Sequence, residues 1–279
     1  MKGLLSIVFI FSVLILQAGT ADSISVYSGS MKKNIPCMVI KPSNYNKNSK
    51  RLNVVYLLHG YSGNHRQWLN ISPGLLTIAD NYNLLIICPD GGYSSWYFDS
   101  PLDSSFRYET FVSSELIKYV DTHYRTIADK KSRAITGLSM GGHGGLFLAS
   151  RHPDVFGAAG STSGGVNLRP FPNQWDIKKR IGDTVCCDEN WKKYSVINTI
   201  DGLKNNDLHI IIDCGTSDFF LNVNRELHQK LLNKKIAHDY IERPGGHDND
   251  YWRNSINYQL LFFQIYFNGP GLNIKPSRK

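Results

Sequence analysis

The pentapeptide Gly137-Leu138-Ser139-Met140-Gly141 lies between an apolar run typical of a strand and a glycine-rich segment typical of a helix. Glycine has no Cβ atom, so the two flanking glycines permit a strand-to-helix turn too tight for larger side chains. Such a turn presents the serine at the end of a strand. Because the motif also arises by chance, its surroundings must support this interpretation.

The segment after Ser139 opens a helix that contains four glycines, at positions 141, 142, 144 and 145. Each glycine costs about 0.5–1 kcal/mol relative to alanine in a helix interior. Helix propensity therefore did not select them. Close approach of the backbone to a sheet or a ligand explains them better than a packing contact beside an incidental serine.

Apolar runs and helical periodicities alternate along the rest of the chain. We predict strands at residues 23–27, 36–40, 52–58, 84–88, 132–136, 156–161, 208–213 and 239–242, and helices at 108–124 and 223–232. This order predicts an α/β fold with a mostly parallel central sheet and helices on both faces. Its ligand site is expected at the carboxyl ends of the strands.

Residues 164–206 interrupt this alternation, with Pro170, Pro172, Trp175, Trp191 and little periodicity. A connection of this length inside a compact domain is typical of a lid or a binding insert. The segment is too short for a second domain. We therefore predict one domain over residues 22–279, with the insert included.

The first residues have the features of a secretory signal: Met1 and Lys2, an apolar run at residues 4–16, and small residues up to Ala21. Cleavage after Ala21 is expected, so residues 1–21 are assigned to the signal. The run is shorter than the about 20 residues that span a bilayer. The sequence predicts export, to the periplasm or the medium, without stable insertion in a membrane.

Charge and cysteine content restrict the partners. The formal net charge of the whole chain is +8, but the basic pairs are scattered, so no nucleic-acid partner is predicted. The chain has no C-x-x-C or H-E-x-x-H pattern, so neither a metal nor another cofactor is expected. The cysteines are odd in number and their pairing is left open: Cys37, Cys88, Cys186, Cys187 and Cys214.

Two further loops supply the partners that a nucleophilic serine needs. Asp218 follows the strand at 208–213, and His247 follows the last strand, in the order nucleophile, acid, base. A serine hydroxyl attacks only when a base takes its proton, and an imidazole oriented by a carboxylate is a suitable base. Ser139, Asp218 and His247 are therefore the predicted catalytic residues.

The choice of acid has two alternatives, Asp213 at the end of the same strand and Asp248 directly after the histidine. Asp218 is preferred because it lies in the loop itself. Asp213 is instead expected to tie down its loop by accepting hydrogen bonds from backbone N–H groups.

An oxyanion needs two backbone N–H donors, one of them from the residue after the nucleophile. Met140 supplies that donor. The second is expected from Tyr61, in the loop Leu58-His59-Gly60-Tyr61, where Gly60 lets the chain turn. His59 is expected to brace this turn.

Four segments together resemble the esterase D-like family: Leu57 to Asn64, Gly137 to Gly142, Asp213 to Asp218, and Gly245 to Trp252. This α/β-hydrolase family includes tributyrin-type esterases, the feruloyl and acetylxylan esterases of carbohydrate esterase family 1, S-formylglutathione hydrolases and mycolyltransferases. The resemblance covers residues 54–267. It implies the same nucleophile, acid, base and oxyanion hole, and it makes Trp96 a candidate substrate contact near the acyl group.

Substrate choice is less constrained. Trp175, Trp191 and Tyr194 of the insert are candidates for stacking on a sugar or a phenolic acid, although lid aromatics more often pin a lid to the body. We expect an exported serine carboxylic ester hydrolase that removes feruloyl or acetyl groups from plant polysaccharide such as xylan. Its expected partner is an acylated oligosaccharide or polysaccharide, and a homo-oligomer is left open.

Several other functions stay open. They are a generalist short-chain carboxylesterase, a thioesterase similar to S-formylglutathione hydrolase, an acyltransferase to a sugar acceptor and a catalytically silent binding protein. The complete set of serine, acid and base disfavours the silent protein. A peptidase is disfavoured because the chain leaves little room for a peptide-binding domain.

Overall fold

A computed structural model describes residues 19–47 and 49–269 of the 279-residue chain. Most of the predicted signal segment, residues 1–18, lies outside the described residues. Its last residues are already part of the fold, because the first strand begins at Thr20. The predicted cleavage after Ala21 stays a prediction.

The centre of the molecule is one eight-stranded sheet with the order β1-β2-β4-β3-β5-β6-β7-β8. The strands are β1 (Thr20–Ser28), β2 (Lys33–Lys41), β3 (Asn53–Leu58), β4 (Leu84–Pro89), β5 (Arg133–Gly137), β6 (Ala158–Thr162), β7 (His209–Gly215) and β8 (His238–Arg243). Pairs β1–β2 and β2–β4 are antiparallel, and the remaining pairs are parallel. The predicted mostly parallel sheet and all eight predicted strands are confirmed.

The helices that surround the sheet are α1 (Gln67–Ile71), α2 (Leu75–Tyr82), α3 (Tyr108–Thr110), α4 (Leu116–His123), α5 (Met140–Arg151), α6 (Ile177–Ile181), α7 (Asp188–Lys193), α8 (Val196–Thr199), α9 (Leu221–Asn233) and α10 (Asn249–Asn268). The predicted helix at 223–232 is α9. The one predicted at 108–124 is divided, because Phe111–Glu115 form a π-helical turn between α3 and α4. No helix of the described segments combines the length and the apolar character needed to cross a bilayer.

Each face of the sheet buries its own hydrophobic core, because successive side chains of a strand point to opposite sides. In β3, Tyr56 and Leu58 belong to the core under α4, α5 and α9, whereas Val55 and Leu57 belong to the core under α1, α2 and α10. Both faces are thus covered, which explains why the strands are almost continuously apolar. The fold is an α/β hydrolase fold.

The insert at residues 164–206 contains α6, α7 and α8, and it packs on the same face as α5. Its own buried residues include Ile177, Ile181 and Trp191. Helix α5 is consequently buried on all sides except at its last residue, Arg151. Within the insert, Cys186 and Cys187 form a disulfide bond, while Cys37, Cys88 and Cys214 are buried thiols.

Candidate active site

Ser139 lies on the turn between β5 and α5, with backbone angles φ 56° and ψ −117°. A positive φ is costly for a residue with a Cβ atom, so the surrounding structure must impose it. One such constraint is close packing, since a Cβ at Gly141 would lie 2.4 Å from the Leu58 carbonyl oxygen. The Ser139 N–H also donates to the Thr162 carbonyl at 2.9 Å. The turn has the form that the pentapeptide predicted.

The predicted base and acid meet this serine. His247 Nε2 lies 2.9 Å from Ser139 Oγ, and His247 Nδ1 lies 2.9 Å from Asp218 Oδ2. Because a carboxylate only accepts, Nδ1 carries the proton that is donated to Asp218, which leaves Nε2 to accept from the serine hydroxyl. The remaining oxygen, Asp218 Oδ1, accepts from the Phe220 N–H at 2.8 Å. The geometry is that of a nucleophile, base and acid relay.

The two alternative acids are engaged elsewhere. Asp213 is fully buried and accepts from Arg243 at 2.6 Å and from Ser255 Oγ at 2.7 Å. The expectation that its carboxylate accepts from backbone N–H groups is wrong, because two side chains from β8 and α10 occupy it. Asp248 caps α10 by accepting from the Tyr251 N–H at 2.9 Å. In the described part of the chain, neither carboxylate forms a hydrogen bond with the His247 imidazole.

Two backbone donors are available beside the serine. Among the described residues, neither the Tyr61 nor the Met140 N–H donates to an acceptor of the chain. The Gly60 backbone lies against the elbow, because a Cβ there would be 3.5 Å from Ser139 Cβ. His59 braces this loop as expected, donating from Nδ1 to the Gly60 carbonyl at 2.7 Å and accepting at Nε2 from the Gly91 N–H at 2.7 Å.

Another histidine, His143, lies four residues after the nucleophile but is not an alternative base. Its Nδ1 donates to the Gly165 carbonyl at 3.0 Å, and its ring packs edge-on against Trp96 and Phe98. Complete burial lowers the pKa of His143 to about 3, so this ring stays neutral at physiological pH. It joins α5 to the first residues of the insert.

Two of the predicted substrate contacts are corrected by the structure. Trp191 is 0% exposed, and its indole N–H donates to the Gly182 carbonyl inside the insert. Trp96 is 1% exposed and donates to the Trp175 carbonyl at 3.0 Å. Neither ring presents a face to a ligand, because both are buried in the hydrophobic core that the insert shares with the rest of the fold.

Trp175 is only partly buried and forms part of an aromatic surface beside the catalytic residues. Its ring stacks on Phe219 at 5.5 Å with an interplanar angle of 19°. Phe219 is 52% exposed, and its ring centroid lies 4.2 Å from that of His247. Phe219 was not among the predicted site residues, although its position directly after the acid was an available signal. We call Trp175 and Phe219 the aromatic pair.

Tyr61 and Tyr93 form a second aromatic contact, with ring centroids 4.9 Å apart, and Tyr93 is largely exposed. Burial, together with hydrogen bonds to Tyr93 and Asp176, raises the pKa of Tyr61 to about 12. The Tyr61 phenol is therefore neutral at physiological pH. The Tyr61 ring packs against Tyr93, and its backbone N–H is one of the two donors beside Ser139.

No group of three or more His, Cys, Asp or Glu side chains that could hold a metal ion occurs within residues 19–47 and 49–269. The reactive groups that the structure brings together are a serine, an imidazole, a carboxylate and two backbone amides. Together with the fold, these groups have the arrangement typical of serine hydrolases of the α/β-hydrolase class.

Comparison with known proteins identifies the family. Residues 28–263 match the family described as "Putative esterase", and the chain belongs to this family. An acetyl esterase of Caldicellulosiruptor saccharolyticus is 28% identical over 252 residues, covering 84% of this chain and 94% of that protein. An esterase of Mycobacterium tuberculosis is 29% identical over 238 residues, covering 75% of this chain. The chain spans only 51% of the length of that esterase.

Solved structures agree with the fold. A ferulic acid esterase superposes with a TM-score of 0.78 at 26% identity, covering 90% of this chain and 99% of that one. A fluorophosphonate-binding serine hydrolase of Staphylococcus aureus gives the same TM-score of 0.78 at 21% identity, covering 89% of this chain and 99% of that chain. At that lower identity the likeness concerns the fold alone.

Proposed function

We propose that the protein is a carboxylic ester hydrolase that removes feruloyl or acetyl groups from plant polysaccharide, such as xylan, or from its fragments. The observation that carries this proposal is the hydrogen-bonded series Ser139–His247–Asp218 with the aromatic pair beside it. The half-exposed Phe219 ring offers a stacking surface for a phenolic acyl group or a sugar. The similarity to an acetyl esterase and to a ferulic acid esterase supports the same substrate class.

In the proposed reaction, Ser139 Oγ attacks the ester carbonyl carbon while His247 Nε2 takes the hydroxyl proton. The carbonyl oxygen becomes negatively charged and accepts hydrogen bonds from the Tyr61 and Met140 N–H groups. Neither N–H group has another acceptor among the described residues. Collapse breaks the ester C–O bond, and His247 returns the proton to the leaving alcohol. Asp218 holds the imidazole in the tautomer that the first step requires.

The acyl-enzyme is then hydrolysed by water. His247 takes one proton from the water as its oxygen attacks the acyl carbon, and it returns that proton to Ser139 Oγ when the acid departs. If a sugar hydroxyl replaced water in this step, the same groups would carry out acyl transfer.

The decisive experiment measures kcat/KM of the purified protein on p-nitrophenyl acetate, methyl ferulate, acetylated xylo-oligosaccharide, feruloylated xylo-oligosaccharide and S-formylglutathione. We expect the highest value on an ester linked to xylan. Ser139→Ala should lower every rate by about 10⁴-fold or more. Ser217→Ala is the matched control, because this serine is exposed in the loop that carries Asp218.

The outcomes separate the alternatives. Rates that survive in Ser139→Ala would refute the mechanism, and a preference for S-formylglutathione would replace the polysaccharide substrate with a thioester. Equal and low rates on all substrates would indicate a generalist carboxylesterase. Recovery of an acylated sugar when an acceptor is added would indicate transfer.

We also propose that the protein is exported after removal of residues 1–21. The charged start and the short apolar run of this segment support the proposal. Mass spectrometry of the protein recovered from periplasm and medium should find a chain that begins at Asp22. Recovery of the chain with Met1 in the cytoplasm alone would refute it.

A further inference from the structure

A groove of about 620 Å³ lies between the π-helical turn, the last residue of α5 and the end of α7. A second depression of about 350 Å³ adjoins it and shares Arg151 and Lys193. We call the first of these the distal groove and define it by Asp99, Arg107, Glu109, Arg151, His152 and Lys193. Helix α5 separates it from Ser139 by about 18 Å, given a rise of about 1.5 Å per residue.

The buried carboxylate of this groove is already neutralised. Glu109 has a side chain that is 8% exposed, and its Oε1 accepts from Arg151 Nε at 2.8 Å and from His152 Nε2 at 2.9 Å. Burial by itself would raise the pKa of Glu109, but the hydrogen bonds from these two side chains outweigh burial and lower it. Glu109 therefore remains charged and paired.

The second carboxylate is similarly engaged. Asp99 accepts from the Thr110 N–H at 3.0 Å and from Thr110 Oγ1 at 2.5 Å. Arg107 Nη2 lies 3.1 Å from Asp99 Oδ2, the oxygen that also accepts from Thr110 Oγ1. Neither carboxylate thus leaves an uncompensated negative charge in the groove.

Cationic donors remain available. Arg151 uses only Nε towards Glu109, and in the described residues its two terminal nitrogens donate to no acceptor. Lys193 makes no ion pair there, and its ammonium group lies 5.5 Å from the centroid of its neighbour Tyr194. The two terminal nitrogens of a guanidinium whose Nε is already paired, together with an unpaired ammonium group, are donors that suit an anion.

The backbone beside these cations is unusual. Phe111–Glu115 form a π-helical turn, and Ser113 and Ser114 from this turn line the groove. π-Helical turns are rare, and they occur often at functional sites because a regular helix is more stable without them. The π-helical turn is independent of the charged side chains, and it too indicates a functional site at the distal groove.

We propose that the distal groove binds a carboxylate-bearing sugar, namely a uronate carried by an oligosaccharide. Arg151 and Lys193 would donate hydrogen bonds to the carboxylate, and the hydroxyl of the exposed Ser114 would face the sugar. The volume lies within the about 300–1,000 Å³ of typical small-molecule sites. The choice of a sugar acid over other anions rests on the proposed polysaccharide substrate.

The test is a titration of the full-length Ser139→Ala protein, which binds without turnover. The probes are a xylo-oligosaccharide that carries one glucuronate, the neutral xylo-oligosaccharide of the same length, and inorganic phosphate. We expect the acidic sugar to bind at least about tenfold more tightly than either other probe. Adding Lys193→Gln should weaken its binding about tenfold, and adding Lys193→Glu should abolish it.

Lys131→Gln serves as the matched control, because Lys131 is an exposed lysine beside β5 and does not line this groove. Equal binding of the acidic sugar by the Lys193→Gln and Lys131→Gln proteins would overturn the proposal. So would equal binding of phosphate, which would show an unselective anion site.

Hydrolysis of p-nitrophenyl acetate by Lys193→Gln in the active background should be unchanged. This measurement keeps the two proposals separate. If the Ser139→Ala protein with Lys193 intact does not bind the uronate while the native protein hydrolyses its esters, only the groove is refuted. If the native protein hydrolyses no ester while the Ser139→Ala protein binds the uronate, only the proposed function is refuted.

Discussion

The loops after β7 and β8 and the insert after β6 all reach the candidate active site, but they hold their side chains by different means. The Asp218 and His247 loops are joined by backbone hydrogen bonds, including Ser217 N–H to the Gly245 carbonyl at 2.9 Å. They approach so closely that a Cβ at Gly215 would lie 2.4 Å from the Gly245 oxygen. The insert instead depends on buried side chains such as Trp191.

This difference determines how far the sequence of each segment indicates its role. A loop fixed by its own backbone and glycines is encoded locally, so its motif shows what it does. The position of a segment fixed by burial depends on the distant residues against which it packs. Its sequence alone therefore does not show whether its aromatic side chains contact a ligand or the core. Substitutions in the two regions should accordingly affect different measurements.

The largest contrast is expected between the two aspartates near the end of β7. Asp218→Asn should lower kcat about 10⁴-fold with little loss of stability, because the imidazole loses the acceptor that fixes its tautomer. Asp213→Asn should instead cost about 3 kcal/mol of unfolding free energy, since Arg243 would lose its partner. For each variant, urea unfolding measures the stability, and kcat on p-nitrophenyl acetate measures the activity. The reverse pattern would show that Asp213 is the catalytic acid.

The next effect concerns the insert. Trp191→Ala should lower the unfolding free energy by about 3–5 kcal/mol, because it empties a fully buried site and removes the hydrogen bond to Gly182. Trp175→Ala should cost less, since that ring is only partly buried. Chemical denaturation of both variants provides the comparison. A stable Trp191→Ala protein with impaired feruloyl hydrolysis would restore Trp191 as a substrate contact.

His143 links the two regions and should give a smaller, pH-dependent effect. Burial lowers its pKa in the folded protein from 6.5 to about 3, so between these values the unfolded chain binds a proton that the folded chain does not. Stability is therefore full above pH 6.5 and is lost as the pH falls. About 2 kcal/mol of the unfolding free energy should disappear between pH 6.5 and 5.

The non-titrating variant His143→Gln supplies the comparison for this prediction. Denaturation curves at pH 6.5 and 5 should show a smaller pH dependence for the variant than for the native protein. Equal pH dependence would mean that His143 is protonated in the folded state.

The smallest expected effect concerns the aromatic pair. Phe219→Ala should raise KM for methyl ferulate about tenfold and leave KM for p-nitrophenyl acetate nearly unchanged, because only the larger acyl group reaches the ring. Phe219→Tyr is the conservative control and should retain low KM. Equal changes on both substrates would indicate a positioning role for the ring next to His247.

Much of the fold was predictable because it rests on local patterns. The apolar runs of β3, β4 and β7 indicated buried strands, and the glycines around Ser139 indicated the turn. The π-helical turn at Phe111–Glu115 was not predictable, since it differs from an α-helix by one hydrogen-bond step and leaves the apolar spacing almost unchanged. Helices α1, α2 and α10 were also not assigned.

For the site, the sequence placed Ser139, Asp218 and His247 in the right order on three strand ends, because parallel strands bring their carboxyl ends to one edge. It could not show that Asp213 pairs with Arg243 and Ser255, since those partners come from β8 and α10. Nor could the sequence show that Trp175 is partly exposed whereas Trp191 is fully buried. Side-chain exposure depends on which elements lie above a residue.

By itself, then, the sequence determined the strand order along the chain, the elbow and the identity of the reacting groups, because periodicity and glycine act through neighbouring residues. The tertiary structure alone decided which carboxylate meets the imidazole and which aromatic ring remains accessible beside it. It also decided that Arg151 and Lys193, far apart in sequence, share one groove. These outcomes depend on packing between distant segments, which no local pattern specifies.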